Sequence, residues 1–362
     1  MDGGKMNSRE RILAAARHQP VNDGKSTAFP TDMWATPEVW RRLYAYFDTS
    51  DPHEVFDRLG VDGIVEIHPR YAGPKGGGPL PELHYDEWGM GYRPQAYSSE
   101  FGSGEYDEQV YFPMARAQTI EDLQAFPWPS PDDYDYSGLV SQAASWPDRA
   151  IGSGYTALFY WHNRLRGLEQ SLMDPLERPD FTHYLIDRLS EFFTEYHRRI
   201  FETLKGRMDF TQVTDDFGAQ HGLLISPRIF DDFYRQKMQR AIDLAKSFGV
   251  MVFHHDDGDM RKLLPRLVEM GVDVLNPIQW RCGNWDLDQM KDLYGSRLCF
   301  HSGVDNQHTL PFGTPDDVRR EVRWLKDTLG KDGTGLIIAP CHNLQSVTPM
   351  ENILALFAEA RE

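Results

Sequence analysis

Residues 249–260 read GVMVFHHDDGDM: an apolar run, Val250 to Phe253, that ends in two histidines and three aspartates. Four apolar residues bounded by glycine suit a buried parallel strand. Helical patterns flank it, SPRIFDDFYRQKMQRAIDLAKSFG (226–249) before and MRKLLPRLVEMG (260–271) after, with apolar residues at i, i+3, i+4 and i+7. The same rhythm recurs at STAF (26–29), VDGIVEI (61–67), AIGSGY (150–155), DFTQV (209–213), VDVLN (272–276), RLCF (297–300) and GLIIAP (335–340). Eight such strands, most of them followed by a helix, predict a (β/α)8 TIM-type barrel, with an open parallel sheet as the alternative. The reading makes residues 1–362 one domain, interrupted by a loop-rich insertion or lid at about 71–148, where Gly, Pro and acidic residues concentrate.

Composition narrows the partners. The 362 residues carry a formal charge of -17, which argues against nucleic acid or an anionic membrane and leaves small molecules or other proteins. No run of 18 apolar residues and no apolar signal core occur, so a soluble, cytoplasmic protein is expected. Three scattered cysteines, Cys282, Cys299 and Cys341, predict reduced thiols rather than a disulfide framework. Oligomeric state is open, a homodimer included.

In a barrel of this kind chemistry belongs at the carboxyl ends of the strands. Those ends carry Asp32 and Trp34; Glu66 and His68; Tyr160, His162 and Arg164; Asp215, Asp216 and Gln220; then the HHDDG stretch; Asn276 and Gln279; His301, Gly303, Asp305 and Gln307; and Cys341, His342 and Asn343. Side chains two apart on a strand share a side, so His255 and Asp257 converge while His254 and Asp256 face the other way. An imidazole and a carboxylate are part of a catalytic zinc set, for which His342 is the third candidate and Cys341 the alternative donor. The competing reading makes His255 and Asp257 a hydrogen-bonded turn or a cap on the helix near Met260. Asp215 or Asp216 suits holding a protonated nitrogen, orienting a histidine or acid/base work. The triplet GGG at 76–78 lacks the setting of a phosphate loop, and no GxSxG, CxxC, HExxH or strand-borne GxGxxG is present.

The segments NSRERILAAARHQPVN, LRGLEQSLMDPLERPDF, VTDDFGAQHGLLISPRIFDDFY, FHHDDGDMRKLLPRLVEMGVDVLNPIQ, HSGVDNQHTLPFGTPDDV and IIAPCHNLQSVTPMENILALF resemble the uroporphyrinogen decarboxylase superfamily along nearly the whole chain. That superfamily includes the decarboxylases and the zinc-dependent methylcobamide methyltransferases. The decarboxylases' arginine-rich segment near the first strand is replaced here by FPTDMWAT (29–36), which disfavours an octa-acid substrate. His342 matches the family's histidine after the last strand, and Glu66 lies near its aspartate. The methyltransferase branch binds zinc through His-x-Cys after strand 5 and Cys after strand 8; here those places read His255, Asp257 and His342, with Cys341 adjacent.

The resemblance implies a metal-dependent methyltransferase moving a methyl group between a methylated corrinoid, free or on a corrinoid protein, or a small methylated substrate, and an acceptor. Zinc sits on His255, Asp257 and His342 in this reading. Asp216, Glu66 and His342 are then catalytic, and Asp32, Trp34, His68, Asp215, Gln220, Asn276, Gln279, Asp305 and Asn343 bind substrate. A His/Asp/His set is harder than His/Cys/Cys and suits polarising an oxygen or nitrogen group. The alternatives are a metal-independent decarboxylase of a small cyclic, aromatic or tetrapyrrole acid, and a barrel that binds a corrinoid without turnover.

Overall fold

The computed structural model describes residues 6–21, 28–99, 102–301 and 303–362. Seven strands form one curled parallel sheet: β1 (Ile64–Glu66), β4 (Ala150–Thr156), β5 (Phe210–Val213), β6 (Met251–His255), β7 (Val274–Asn276), β8 (Cys299–His301) and β9 (Leu336–Ile337), adjacent in that order. Between β1 and β4 lies an antiparallel hairpin, β2 (Gly91–Ser99) and β3 (Gly102–Tyr111), extended by His84–Tyr85.

Each sheet strand sends one apolar or thiol side chain to a common interior: Ile64, Ala150, Phe210, Phe253, Val274, Cys299 and Ile337. The amino-terminal side of this interior is plugged by α1 (Ser8–Ala16) through Ile12, Leu13, Ala15 and Ala16, and Trp34 packs on the same cluster. Asn7 and Glu10 close a reciprocal capping box that fixes where α1 starts. Ion pairs pin α1 to the strand starts: Arg11 to buried Asp62 at 3.0 Å and Arg9 to Asp209 at 2.7 Å. Helices cover the outer face, among them α2 (Leu158–Arg166), α3 (Pro179–Thr203), α4 (Arg235–Ser247), α5 (Pro315–Thr328) and α6 (Met350–Ala360).

The expected first strand, STAF, is not a strand in its described part. Ser26 and Thr27 lie outside the described residues, and Ala28 to Pro30 are irregular. The gap between β9 and β1 is bridged instead by residues 30–35. Ile338 N donates to Pro30 O (2.9 Å), Asp32 N to Ile338 O (3.0 Å) and Gly63 N to Thr31 O (2.9 Å). Proline has no N–H to give a ladder, so this position is stitched by isolated bridges at Thr31–Ile338 and Ala35–Leu344.

The insertion is also more ordered than its composition suggests. The β2–β3 hairpin is anchored beside α2, where Gln109 Nε2 donates to Arg164 O (2.7 Å) and Arg164 to the Tyr92 hydroxyl (2.7 Å). Farther along it, Tyr97 and Tyr106 line a cavity of about 710 Å³ with Thr36, Phe312 and Val347. The hairpin thus reaches from the end of β4 toward the chain that follows β9, across the carboxyl side of the sheet.

Candidate metal centre

The alternation expected of β6 is what the structure has. His254 is fully buried, with its Nδ1 2.7 Å from Val213 O, while His255 faces the carboxyl side with 13% of its side chain exposed. Neighbouring loops clamp the turn that follows. Thr214 accepts from His255 N (2.7 Å) and its hydroxyl donates to His255 O. Gly218 N donates to Asp256 Oδ1 (2.8 Å), Gly258 N to Gln279 Oε1 (2.8 Å) and Asp259 N to Ala219 O (2.8 Å). The competing idea of a simple helical cap fails here, because the next helix begins at Leu264 and its N-cap is Leu263.

Gly218 shows how close the two loops come: a Cβ there would lie 2.1 Å from Asp257 O, a backbone atom that cannot swing aside. Gly218→Ala is therefore expected to cost about 1–3 kcal/mol and to weaken metal binding by moving Asp257. Urea denaturation and zinc titration check this; a variant as stable and as zinc-competent as the parent sinks the account.

His255, Asp257 and His342 come together as a group whose ligand atoms all lie within 4.8 Å of one another. Asp257 Oδ1 is 3.9 Å from His255 Nε2, and its Oδ2 is 3.8 Å from His342 Nε2. Asp216 Oδ1 approaches the same His255 Nε2 at 3.9 Å. Trp34 stacks obliquely on His255 at 5.6 Å and His342 lies 5.4 Å from it, so aromatic and imidazole rings wall the cluster. Exposure runs from 13% at His255 to 36% at His342 and 45% at Asp257, leaving one side open to solvent. Burial lowers the His342 pKa, which favours the neutral, ligand-competent imidazole, and raises that of Asp216 against the pull of His255. Two imidazoles and a carboxylate with an open side are the donor set of a catalytic zinc site. Cys341 is outside the group: its thiol is buried and lies 3.5 Å from Ile278 O.

The other residues singled out in the sequence divide. Glu66, at the end of β1, lies over Gly152, where a Cβ would be 2.2 Å from Oε1, and receives a long hydrogen bond from Gln212 at 3.5 Å. Burial pushes its carboxyl up to about 7. Asn276 and Asp32 are buried and linked to His255, as described below. Gln279 holds the turn through Gly258 and donates to Gln307 (3.1 Å). Asn343 is half-buried beside His342.

Four residues expected to bind substrate make other contacts in the structure. Asp215 is buried, and its carboxylate accepts from Phe159 N (2.8 Å) and Tyr160 N (2.6 Å), capping α2. Asp305 is occupied by Arg281 at 2.6 Å, and its N–H by Glu321. His68 is exposed, with its backbone tied to Gln142, and Gln220 is exposed and accepts from the Cys282 thiol at 3.2 Å. Two contributors, Thr214 and Gln212, did not stand out in the sequence, and His301 was noted only as a polar strand end. The sharper signal for His301 was its place two residues after Cys299, on the inward side of β8.

A curled parallel sheet with its polar side chains gathered at the carboxyl ends of the strands defines a TIM-type α/β scaffold. Residues 150–362 match the family model described as uroporphyrinogen decarboxylase (URO-D). The chain belongs to the uroporphyrinogen decarboxylase family. It is 21% identical over 180 residues to the uroporphyrinogen decarboxylase of Aliivibrio salmonicida, a match covering 48% of this chain and 46% of that one, so it spans about half the length of this curated relative. Its structure is similar to that of a methyltransferase from Methanosarcina mazei, with a TM-score of 0.67, 19% identity and 98% of both chains covered. No helix among the described residues is long and apolar enough to cross a membrane.

Proposed function

We propose that this protein is a zinc-dependent methyltransferase, moving a methyl group between a methylated corrinoid, or a small methylated substrate, and an acceptor. The observation that carries the proposal is the convergence of His255, Asp257 and His342 within 4.8 Å at the open end of the sheet. The fold shared with a methyltransferase over 98% of both chains supports it. Bound zinc would supply a Lewis acid for the acceptor or leaving atom, harder than a thiolate-rich zinc site provides. The chain's own residues do the rest. Asp216 and Asp257 bring two carboxylates to one side of His255. Trp34 gives the site an apolar wall that limits water. Glu66, balanced between its acid and base forms near neutrality, holds or releases a proton at the β1 side of the mouth.

Glu66 also favours a second reading, metal-free decarboxylation, in which a buried carboxyl group of this kind protonates the carbon that loses carbon dioxide. Two measurements separate the readings: zinc content of the purified protein, and turnover of methylcobalamin with nucleophilic acceptors. One zinc per chain and demethylation of methylcobalamin are expected. Protein without stoichiometric zinc, unchanged by His255→Ala, overturns the methyl-transfer reading.

A further inference from the structure

Behind the metal candidates runs a line of buried polar groups. His255 Nδ1 meets Asn276 Oδ1 at 2.6 Å, Asn276 Nδ2 meets His301 Nδ1 at 2.8 Å, and His301 Nε2 meets Asp32 Oδ2 at 2.8 Å. Asn276, His301 and Asp32 are each 1% exposed. The line joins the ends of β6, β7 and β8 to the 30–35 segment.

We propose that Asn276, His301 and Asp32 form a positioning relay that holds His255 in the one neutral tautomer able to bind a metal through Nε2, with Asn276 setting its direction. The inference rests on the metal reading above but is tested without it. The amide's orientation follows from its partners. Asn276 Nδ2 also donates to the backbone oxygen of His301 at 3.2 Å; exchanging the amide O and N would set two oxygens against each other. With the N–H₂ side fixed toward His301, the oxygen faces His255 and can only accept. His255 must then carry its proton on Nδ1, leaving the Nε2 lone pair toward Asp257 and His342. By the same logic His301 Nδ1 accepts from the amide, so its proton sits on Nε2 and is given to Asp32.

The two histidines therefore hold opposite tautomers, and one amide dictates both. Asp32 anchors the far end, since its other oxygen accepts from Ile64 N at 3.0 Å and cannot drift. Ring packing fixes the planes: Trp34 lies 5.6 Å from His255 and 5.8 Å from His301, and Phe253 lies 5.0 Å from His301. Supporting a metal-bound histidine through its second nitrogen raises its basicity and is worth about 10–100-fold in metal affinity.

The test begins with metal-free wild-type protein, labelled with ¹⁵N in histidine and observed at pH 8. His255 is expected as the Nδ1–H tautomer, the minor form of free histidine, and His301 as Nε2–H. Zinc affinity, measured by competition with a chromophoric chelator, should fall about 10–100-fold in Asn276→Leu. A wild-type His255 protonated on Nε2, or an Asn276→Leu protein that binds zinc like the parent, overturns the relay even if Asn276→Leu folds poorly in other respects. Correct tautomers in a protein that binds no zinc overturn the metal reading and leave the relay standing.

Discussion

His255→Ala is expected to abolish stoichiometric zinc and to lower methyl transfer by more than the roughly 100-fold that loss of a supporting residue costs. His255 is the deepest of the three candidate ligands and the one bonded to Asn276. Asp216 is close enough to approach the vacated place, but it brings a carboxylate where an imidazole was and has no comparable support. The fold should survive, because the substitution orphans one buried acceptor, the Asn276 oxygen, at a cost of about 1–3 kcal/mol, and leaves the backbone bond to Thr214 intact. Metal analysis and a methylcobalamin assay read the first effect, and thermal unfolding the second. Full zinc occupancy in the variant would falsify the assignment of the site.

Glu66→Gln is expected to stabilise the protein at pH 8 and to change little at pH 4.5. Burial raises the Glu66 pKa from its ordinary 4.5 to about 7, so between those limits the folded state holds a proton that the unfolded state has released. Stability then falls as pH climbs through this window and levels off above it. A shift of that size corresponds to at most roughly 3 kcal/mol. Glutamine keeps the shape and a partner for Gln212 without the charge. Urea unfolding of both proteins from pH 4.5 to 8 should show curves that separate across the window; a gap independent of pH rules out the buried titration. The pH–rate profile should lose its limb near neutrality in the same variant.

The fold was legible wherever burial left a periodic trace. The seven described strands of the parallel sheet are apolar runs, most with helical patterns around them, and the two-residue alternation at 254–257 told which histidine faces the cluster. The trace fails in three places for different reasons. At 28–35 the chain does a strand's work through scattered bridges, with a proline in it, so neither propensity nor pattern marks it. In 91–111 the hairpin is exposed over most of its length, and a strand without a buried face shows no alternation to read. Beyond the strand ends, period two no longer applies. Nothing in TDDFGAQ distinguishes Asp215, which caps a helix, from Asp216, which faces the cluster. Nor does period two tell that Gln220 meets the Cys282 thiol or that the His68 backbone is tied to Gln142. The metal candidates escaped this limit because two of them sit at or just after a long, well-patterned strand.

The stitched gap between β9 and β1 has a consequence for how the molecule breathes. Leu344 N to Trp34 O (2.8 Å), Thr36 N to Leu344 O (3.1 Å) and the pair at Asp32 and Ile338 are its principal fasteners, a thin set beside the continuous ladders elsewhere. His342 leaves the chain just before Leu344, while His255 belongs to β6, three strands around the sheet. An ion shared by the two would tie the chain that follows β9, one edge of this gap, to the body of the sheet at β6. By linkage, order at that edge and occupancy of the centre would then rise and fall together.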